Sequence, residues 1–274
     1  MTPRPTHSRL LPPILAHKDP GAPSLFTPEN LLREVRRQKG LPRGRVPEVC
    51  VLDPDGDIVR HLLRTRRARR WARWACYHTE LHVFHRAGVR YGIVGGAIGA
   101  AFAVLVAEEL FASGCRLLLS LTSAGQITAV REPPYFILIE RALRDEGTSY
   151  HYLPAADYSD ADARLIRLMS AGLSRIRVPL ERGATWTTDA PFRETAAAIE
   201  ACRARGVLAV EMEAAALYAF SRARRRPVVC FAHVTNQMAR IEGDFEKGEA
   251  DGAREALQVI SAAVRTWRGA RRGS

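Results

Sequence analysis

The stretch VRYGIVGGAIGAAFAVLVAEELFASGCRLLLSL, residues 89–121, decides the fold. Val89 to Val94 reads as a strand. Gly95-Gly96-Ala97-Ile98-Gly99 makes a tight turn, and Ala100 to Phe111 forms a helix that Gly114 closes as a C-cap. Arg116 to Leu121 is almost wholly apolar, the composition of a strand covered on both faces. Strand, turn, helix and buried strand make the repeating unit of a parallel sheet.

The same alternation continues outward in both directions. Upstream, Val46 to Leu52 reads as a strand ending in the turn Asp53-Pro54-Asp55-Gly56-Asp57. A helix is expected from Ile58 to Trp74, and strands over Leu81 to Phe84 and Val89 to Val94 around Ala87-Gly88. Downstream, strands are expected over Phe136 to Leu143, Tyr150 to Tyr152, Ser174 to Leu180, Val207 to Val210 and Pro227 to Val234. Helices are expected over Asp160 to Gly172, from the cap Asp189 to Arg205, over Glu211 to Arg224 and over Glu249 to Trp267, with a short one from Phe26 to Arg37. The expectation is an α/β protein: a single domain over residues 46–267, its mixed, largely parallel sheet carrying helices on both faces. A partly irregular extension precedes it at 1–45, and a basic tail expected to fray follows at 268–274.

Composition narrows the class. The chain has 274 residues, 47% hydrophobic and 26% charged, enough apolar material for a sizeable core. Pro3, Pro5, Pro12, Pro13, Pro20 and Pro23 deny residues 1–25 any apolar period. The five cysteines (Cys50, Cys76, Cys115, Cys202 and Cys230) are scattered, with no Cys-x-x-Cys and no His/Cys cluster. They read as small buried hydrophobes in a reducing, cytoplasmic setting, with no metal site. The N-terminus has no signal-peptide core. The uncharged run Tyr91 to Ala107 approaches the length of a membrane span, but its glycines suit strand, turn and helix, so no membrane association is expected. The net charge of +12 is concentrated in Arg60, Arg64, Arg66, Arg67, Arg69, Arg70 and Arg73. On a helix Trp71 and Trp74 would share one face and leave a solvated arginine face, with a face for a polyanion such as nucleic acid, or a subunit contact, as the minor alternatives.

In a sheet of this kind ligands gather where strands pass into helices. Four junctions stand out. In Gly56-Asp57-Ile58-Val59-Arg60 a glycine turn and a helix start offer N–H groups to an anion, with Arg60 one turn on. Gly95 to Gly99 superficially matches a dinucleotide fingerprint, but the next strand ends in Thr122-Ser123 with no acid to hold a ribose. Thr122-Ser123-Ala124-Gly125 presents small hydroxyls and N–H groups, suited to an oxyanion or to an ordinary polar turn. In Val210-Glu211-Met212-Glu213-Ala214-Ala215 two acids stand at the mouth of an alanine-rich helix. They serve either as helix-dipole partners or, for a crowded Glu213, as acceptors for vicinal hydroxyls.

Taken together these junctions resemble the nucleoside phosphorylase family over roughly residues 50–267. VEMEAAALYAF at 210–220 is similar to the family's ribose-binding segment, GGAIGAAFAVLVAEEL at 95–110 to its glycine-rich passage, and LTSAG at 121–125 and GDIVR at 56–60 to its phosphate loops. ALRDEGTSYHY at 142–152 resembles most the uridine phosphorylase branch, and GATWTTDAPFRET at 183–195 stands where the family lines its base pocket. The resemblance implies cleavage of an N-glycosidic bond by phosphate, giving free base and ribose 1-phosphate. Phosphate is then co-substrate, and no metal or organic cofactor is used. It implies that Glu213 grips the ribose hydroxyls with Met212 and Glu211 beside the sugar. Gly56, Arg60, Thr122 and Ser123 hold phosphate, and Trp186, Phe192 and Arg193 lie near the base. It also implies a homo-oligomer.

Two departures matter. The arginine that the family carries three positions before the Ser123 match is Ser120 here. The arginine expected shortly before the Val89 strand has no counterpart among Cys76, Tyr77 and His78. Arg90, Arg131 and Arg193 are candidate replacements. Water activated by Asp53, Asp55 or Asp57 is the alternative nucleophile, and a non-catalytic nucleotide- or polyanion-binding protein is the alternative from another class. Where purine-cleaving members carry an acid, Asn236 stands. It donates hydrogen bonds but no proton at neutral pH, which points to a pyrimidine base.

Overall fold

The computed structural model describes residues 11–237, 247–248 and 250–272. Pro3, Pro5, the expected helix start at Glu249 and the last two residues of the basic tail lie outside them. Among the described residues ten strands form one sheet: β1 (Val49–Asp53), β2 (Ala68–Arg70), β3 (His82–Arg86), β4 (Val89–Gly95), β5 (Leu117–Gln126), β6 (Tyr135–Asp145), β7 (Tyr158–Asp160), β8 (Leu180–Thr188), β9 (Val207–Glu211) and β10 (Val228–Gln237). Among the described residues seven α-helices accompany them: α1 (Pro28–Lys39), α2 (Asp57–Arg64), α3 (Ala100–Ala112), α4 (Ala163–Leu173), α5 (Ala196–Ala204), α6 (Ala214–Arg224) and α7 (Ala253–Arg272).

The sheet order is β10-β6-β8-β9-β5-β1-β4-β3-β2, and β10 also pairs with β5. The strands β5, β9, β8, β6 and β10 therefore close a ring, which removes their edges. From β5 an open wing runs through β1 and β4 to the hairpin partners β3 and β2. β1, β4, β5 and β10 are mutually parallel, while β9 meets β5 and β6 meets β10 antiparallel. The sheet is mixed, as expected. One core packs α3 and α6 against one face through Val104, Leu110, Leu217 and Phe220. The other packs α2, α4 and α7 against the opposite face through Ile58, Leu62, Met169 and Ile260. All five cysteines are free and buried. Among the described residues no helix is long and apolar enough to cross a membrane.

Several expected elements fall elsewhere. The arginine-rich helix through Trp74 ends at Arg64, where the Thr65 hydroxyl bonds back to the His61 carbonyl and Arg66 turns left-handed at φ 54°. Ala68–Arg70 then pairs with β3 as a strand, so Trp71 and Trp74 do not share a helical face. Trp71 lies under the guanidinium groups of Arg73 and Arg90, and the Trp74 indole donates to Thr79. Ser174 to Leu180 is not a strand; β8 begins at Leu180 because its partner β6 begins the pairing there, Phe136 beside Leu180. Tyr150–Tyr152 falls mostly in a 3-10 turn over Thr148–His151. The helix expected from Asp189 starts instead at Thr195, whose hydroxyl caps α5, while the Asp189 carboxylate accepts the Gly147 N–H. α7 runs to Arg272, so most of the tail expected to fray is helical.

Candidate active site

Parallel pairing sends the C-terminal ends of β1, β4, β5 and β10 to one side of the sheet. Antiparallel pairing of Val210 with Gly125 brings the end of β9 to the same place. Four of the junctions singled out above meet there.

The β9–α6 junction is built on two buried carboxylates. Glu211 is satisfied entirely by the protein. One oxygen accepts the hydroxyls of Thr185 (3.1 Å) and Thr187, and the other accepts the backbone N–H groups of Glu213 and Ala214 at 2.7 Å each. It caps α6 from inside, so this acid expected beside the sugar is held away from any ligand by its own hydrogen bonds. Glu213, 1% exposed, accepts the Gly99 N–H at 2.8 Å on Oε1, while Oε2 has no protein partner. Burial first, then the charge of Glu211, pushes its carboxyl well above the usual range; the Gly99 N–H and the Thr122 hydroxyl pull the other way. Gly99, at φ 88°, holds a backbone conformation few other residues adopt, and its N–H is thereby turned onto Glu213. Met212 is half-buried beside it.

The β1–α2 junction forms a cradle. Gly56, at φ 75°, caps α2 without a side chain. Asp53, 2% exposed, accepts the Val59 N–H at 2.8 Å and is pushed up to about 7, chiefly by burial. The Asp55 carboxylate accepts the Ser123 N–H at 2.8 Å. Arg60 donates to the Asp55 carbonyl and pairs with Asp57, whose other oxygen meets the Lys247 ammonium at 2.6 Å. The donors expected to hold phosphate are thus gathered, but Arg60 and the Ser123 N–H are each engaged by a carboxylate.

The Thr122 to Gly125 segment, with the composition of a turn, is strand: β5 continues through it because β10 and β9 supply partners. Ser120 sits deeper in the same strand, 2% exposed. Of the candidate replacement arginines, Arg90 stacks on Trp71 and Arg131 pairs with Glu181, both away from the cradle. Arg193 is exposed in the 3-10 turn Pro191–Arg193.

At the base end, Asn236 follows a bulge in β10, where the pairing with β5 slips between Val234 and Asn236. Such bulges re-aim side chains. Phe192 is 99% exposed. Trp186 is not brought to the junction: it packs with Ile127, Ile199 and Val210, and its indole N–H is bonded to Asp145 at 3.0 Å. The alternation of β8 explains this, since Thr185 and Thr187 take the face toward Glu211 and Trp186 the opposite one.

One residue that the sequence reading passed over belongs to the cluster. His233, 3% exposed, stacks on Phe136 with ring centroids 4.4 Å apart, and its Nε2 has no partner. Burial and then Lys247 lower it to about 4, so it is neutral. Its only sequence signal was a lone histidine in the apolar strand VVCFAHV.

A family model described as the phosphorylase superfamily matches residues 50–265. Two solved structures of uridine phosphorylase from Vibrio fischeri ES114 share the fold. The one complexed with 6-hydroxy-1-naphthoic acid has a TM-score of 0.71 at 20% identity, covering 85% of this chain and 99% of that one. The other has a TM-score of 0.61 at 20% identity, covering 81% and 87%.

Proposed function

The chain belongs to the phosphorylase superfamily, and from that premise we propose that it cleaves the N-glycosidic bond of a pyrimidine nucleoside. The observation that carries this reading is the Glu213 carboxyl: buried, fixed by the Gly99 N–H through one oxygen and lacking a protein donor on the other. A buried acceptor of this kind calls for hydrogen-bond donors, and the vicinal hydroxyls of a ribose supply two. Donation from the ribose hydroxyls favours its ionised form against burial, and that charge beside the sugar favours the oxocarbenium character that builds up as the bond breaks. Met212 packs against the ribose. Asn236 donates to the carbonyl oxygen on which the departing pyrimidine gathers charge, and no general acid is needed there. Phe192 and Arg193 close over the base. Their exposure in the single chain favours a homo-oligomer in which this end is covered. Five buried thiols support a reducing, cytoplasmic setting.

The nucleophile approaches from the cradle of Gly56, Arg60, Thr122 and Ser123. Phosphate is the expectation from the family, and the chemistry requires no metal or organic cofactor. A hydrolytic reading is favoured by one specific observation, the Asp55 carboxylate seated on the Ser123 N–H. The test is release of free base by the full-length protein from a panel of pyrimidine and purine nucleosides, with and without phosphate. Release confined to pyrimidines is expected. Release confined to purines sinks the base assignment, and no release from any nucleoside sinks the reading.

A further inference from the structure

On the α7 side of the open wing, three elements bring arginines to one place. Arg86 of β3 donates through Nε to the Ser261 hydroxyl of α7 at 2.8 Å. Arg265 and Arg268 follow Ser261 along the same face of α7, at helical spacing. Arg67 enters from the connection between α2 and β2. Burial lowers Arg86, and the charges of Arg67 and Arg265 lower it further. Among the described residues no carboxylate pairs with any of these arginines, and the other Arg86 donors have no partner. The helix dipole accounts for the cations in the last turn of α7, Arg271 and Arg272, but not for Arg67 or Arg86.

A second, independent feature lies beneath them. Tyr91 of β4 is 0% exposed and stacks on Phe84 with ring centroids 4.8 Å apart, yet its hydroxyl has no hydrogen-bond partner. A phenylalanine would serve the packing equally well. The hydroxyl carries a desolvation cost that no described residue offsets. Neighbouring Ser261 is already engaged, since its oxygen accepts from Arg86 and its hydrogen goes to the Leu257 carbonyl at 2.7 Å. Burial keeps the Tyr91 hydroxyl protonated, while Ser261, Arg265, Arg86 and Arg268 pull the other way. These three arginines are thus gathered about one buried O–H.

We propose that Arg67, Arg86, Arg265, Arg268 and Tyr91 form an anion site, separate from the cradle at β1–α2, that binds a phosphate dianion, free or as the end group of a small monoester. The planar guanidinium fork matches two phosphate oxygens at once and stays charged at any working pH. The Tyr91 hydroxyl is a neutral donor for a further oxygen. The cations converge from three elements on one hydroxyl instead of lining a stripe, which fits a compact dianion and not the repeating backbone of a nucleic acid.

The site stands apart from the candidate active site. Tyr91 lies near the start of β4, and Gly95 at its other end reaches the glycine-rich passage to Glu213. The strand between them spans about 13 Å. The proposal therefore does not rest on the glycosidic-cleavage reading. Its structural consequence is a bridge: a bound phosphate ties α7, through Arg265 and Arg268, to the wing, through Arg86 and Tyr91. A ligand that binds only the folded chain in this way raises its unfolding temperature.

The experiment titrates the full chain calorimetrically with inorganic phosphate and with glycerol 2-phosphate, and follows the thermal melt with each. Wild type should bind the monoester and melt higher in its presence. Arg86→Gln and Arg265→Gln should each weaken binding by about 10–100-fold, the scale of a lost charge-assisted hydrogen bond, and Tyr91→Phe by about 2–10-fold. Arg60→Gln in the cradle, and Arg182→Gln in β8 beside Glu140, should leave monoester binding unchanged. Arg86→Gln also loses the bond to Ser261. Should it fail to fold, Arg265→Gln on the exposed face of α7 and Tyr91→Phe carry the test. Failure of wild type to bind either probe, or equal binding by Arg265→Gln and Tyr91→Phe, would overturn the site. So would binding that Arg60→Gln abolishes and Arg265→Gln spares, since it belongs to the cradle. The last arm is a short single-stranded oligonucleotide. Binding that falls steeply with salt, and that Arg182→Gln weakens as much as Arg265→Gln, would mean a diffuse basic surface and would also overturn the proposal.

Discussion

At the end of β9 and at the end of β1 the chain makes the same move, from a buried strand into a helix, and each turn is crowded with carboxylates. The two crowds are treated differently. At β9–α6 the acids are fed by neutral donors: Glu211 takes two threonine hydroxyls and two backbone N–H groups, and Glu213 takes one N–H and keeps an oxygen in hand. At β1–α2 the acids absorb the very groups an anion would use: Asp55 the Ser123 N–H, Asp57 both Arg60 and Lys247. The first junction is left short of donors and the second short of uncommitted ones. A helix start with a glycine turn is therefore not by itself an anion site; what matters is which neighbours its N–H groups and cations have already met.

The sharpest way to break the comparison is at Glu213. Under the proposed reading Glu213→Gln should lower kcat/KM by roughly 10²–10³-fold, the scale for losing one preorganised electrostatic contact. The same change should raise stability near pH 8, because it removes a buried charge that burial and Glu211 disfavour. Activity and a urea unfolding midpoint, measured on the same preparation, separate the two effects. Near-wild-type turnover would end the assignment of Glu213 to the ribose.

Next in size is Glu211. Glu211→Gln keeps the shape but sets an amide N–H₂ against donors, either the threonine hydroxyls or the two N–H groups that open α6. A loss of about 1–3 kcal/mol is expected, the cost of leaving buried donors unmet. Equal urea midpoints for variant and wild type would show that Glu211 is not the internal cap its four contacts describe.

The β9–α6 junction is legible in the sequence because its pattern is local. An apolar strand, two acids and a run of alanines lie within one stretch, and only the inward commitment of Glu211 escapes it. The cradle is legible as residues and not as polarity, since Asp55 and Ser123 meet across 68 positions and no local pattern reports that contact. The same limit explains the elements that fall elsewhere. Trp71 and Trp74 carry helical spacing, yet Ala68–Arg70 is a strand because β3 lies beside it. Thr122–Gly125 has turn composition, yet it is strand because the closed ring brings β9 and β10 to it. The neighbours of Trp186 in sequence suggest a place near the base. Strand alternation, set by Thr185 and Thr187 facing Glu211, turns it to the other side.

The smallest expected effect sharpens the cradle's half of the comparison through pH. Asp53 is pushed up to about 7, far above the ordinary aspartate value, chiefly by burial. A carboxyl raised in the folded state holds its proton longer there than in the unfolded chain. Its contribution to stability is therefore fully present below about pH 4 and is lost as pH rises through about 7, by about 4 kcal/mol at most. His233 pulls the other way: lowered to about 4, it costs stability as pH falls from about 6.5 toward 4. The wild-type pH curve mixes the two, so the informative quantity is the difference between Asp53→Asn and wild type. The amide oxygen of that variant still accepts the Val59 N–H, and the amide never ionises. The variant should match wild type near pH 4 and exceed it by about 1–3 kcal/mol near pH 8, read from urea midpoints at each pH. A difference that stays flat across that range would mean that Asp53 ionises at its ordinary value. The crowding of carboxylates, on which the contrast between the two junctions depends, would then be relieved at Asp53.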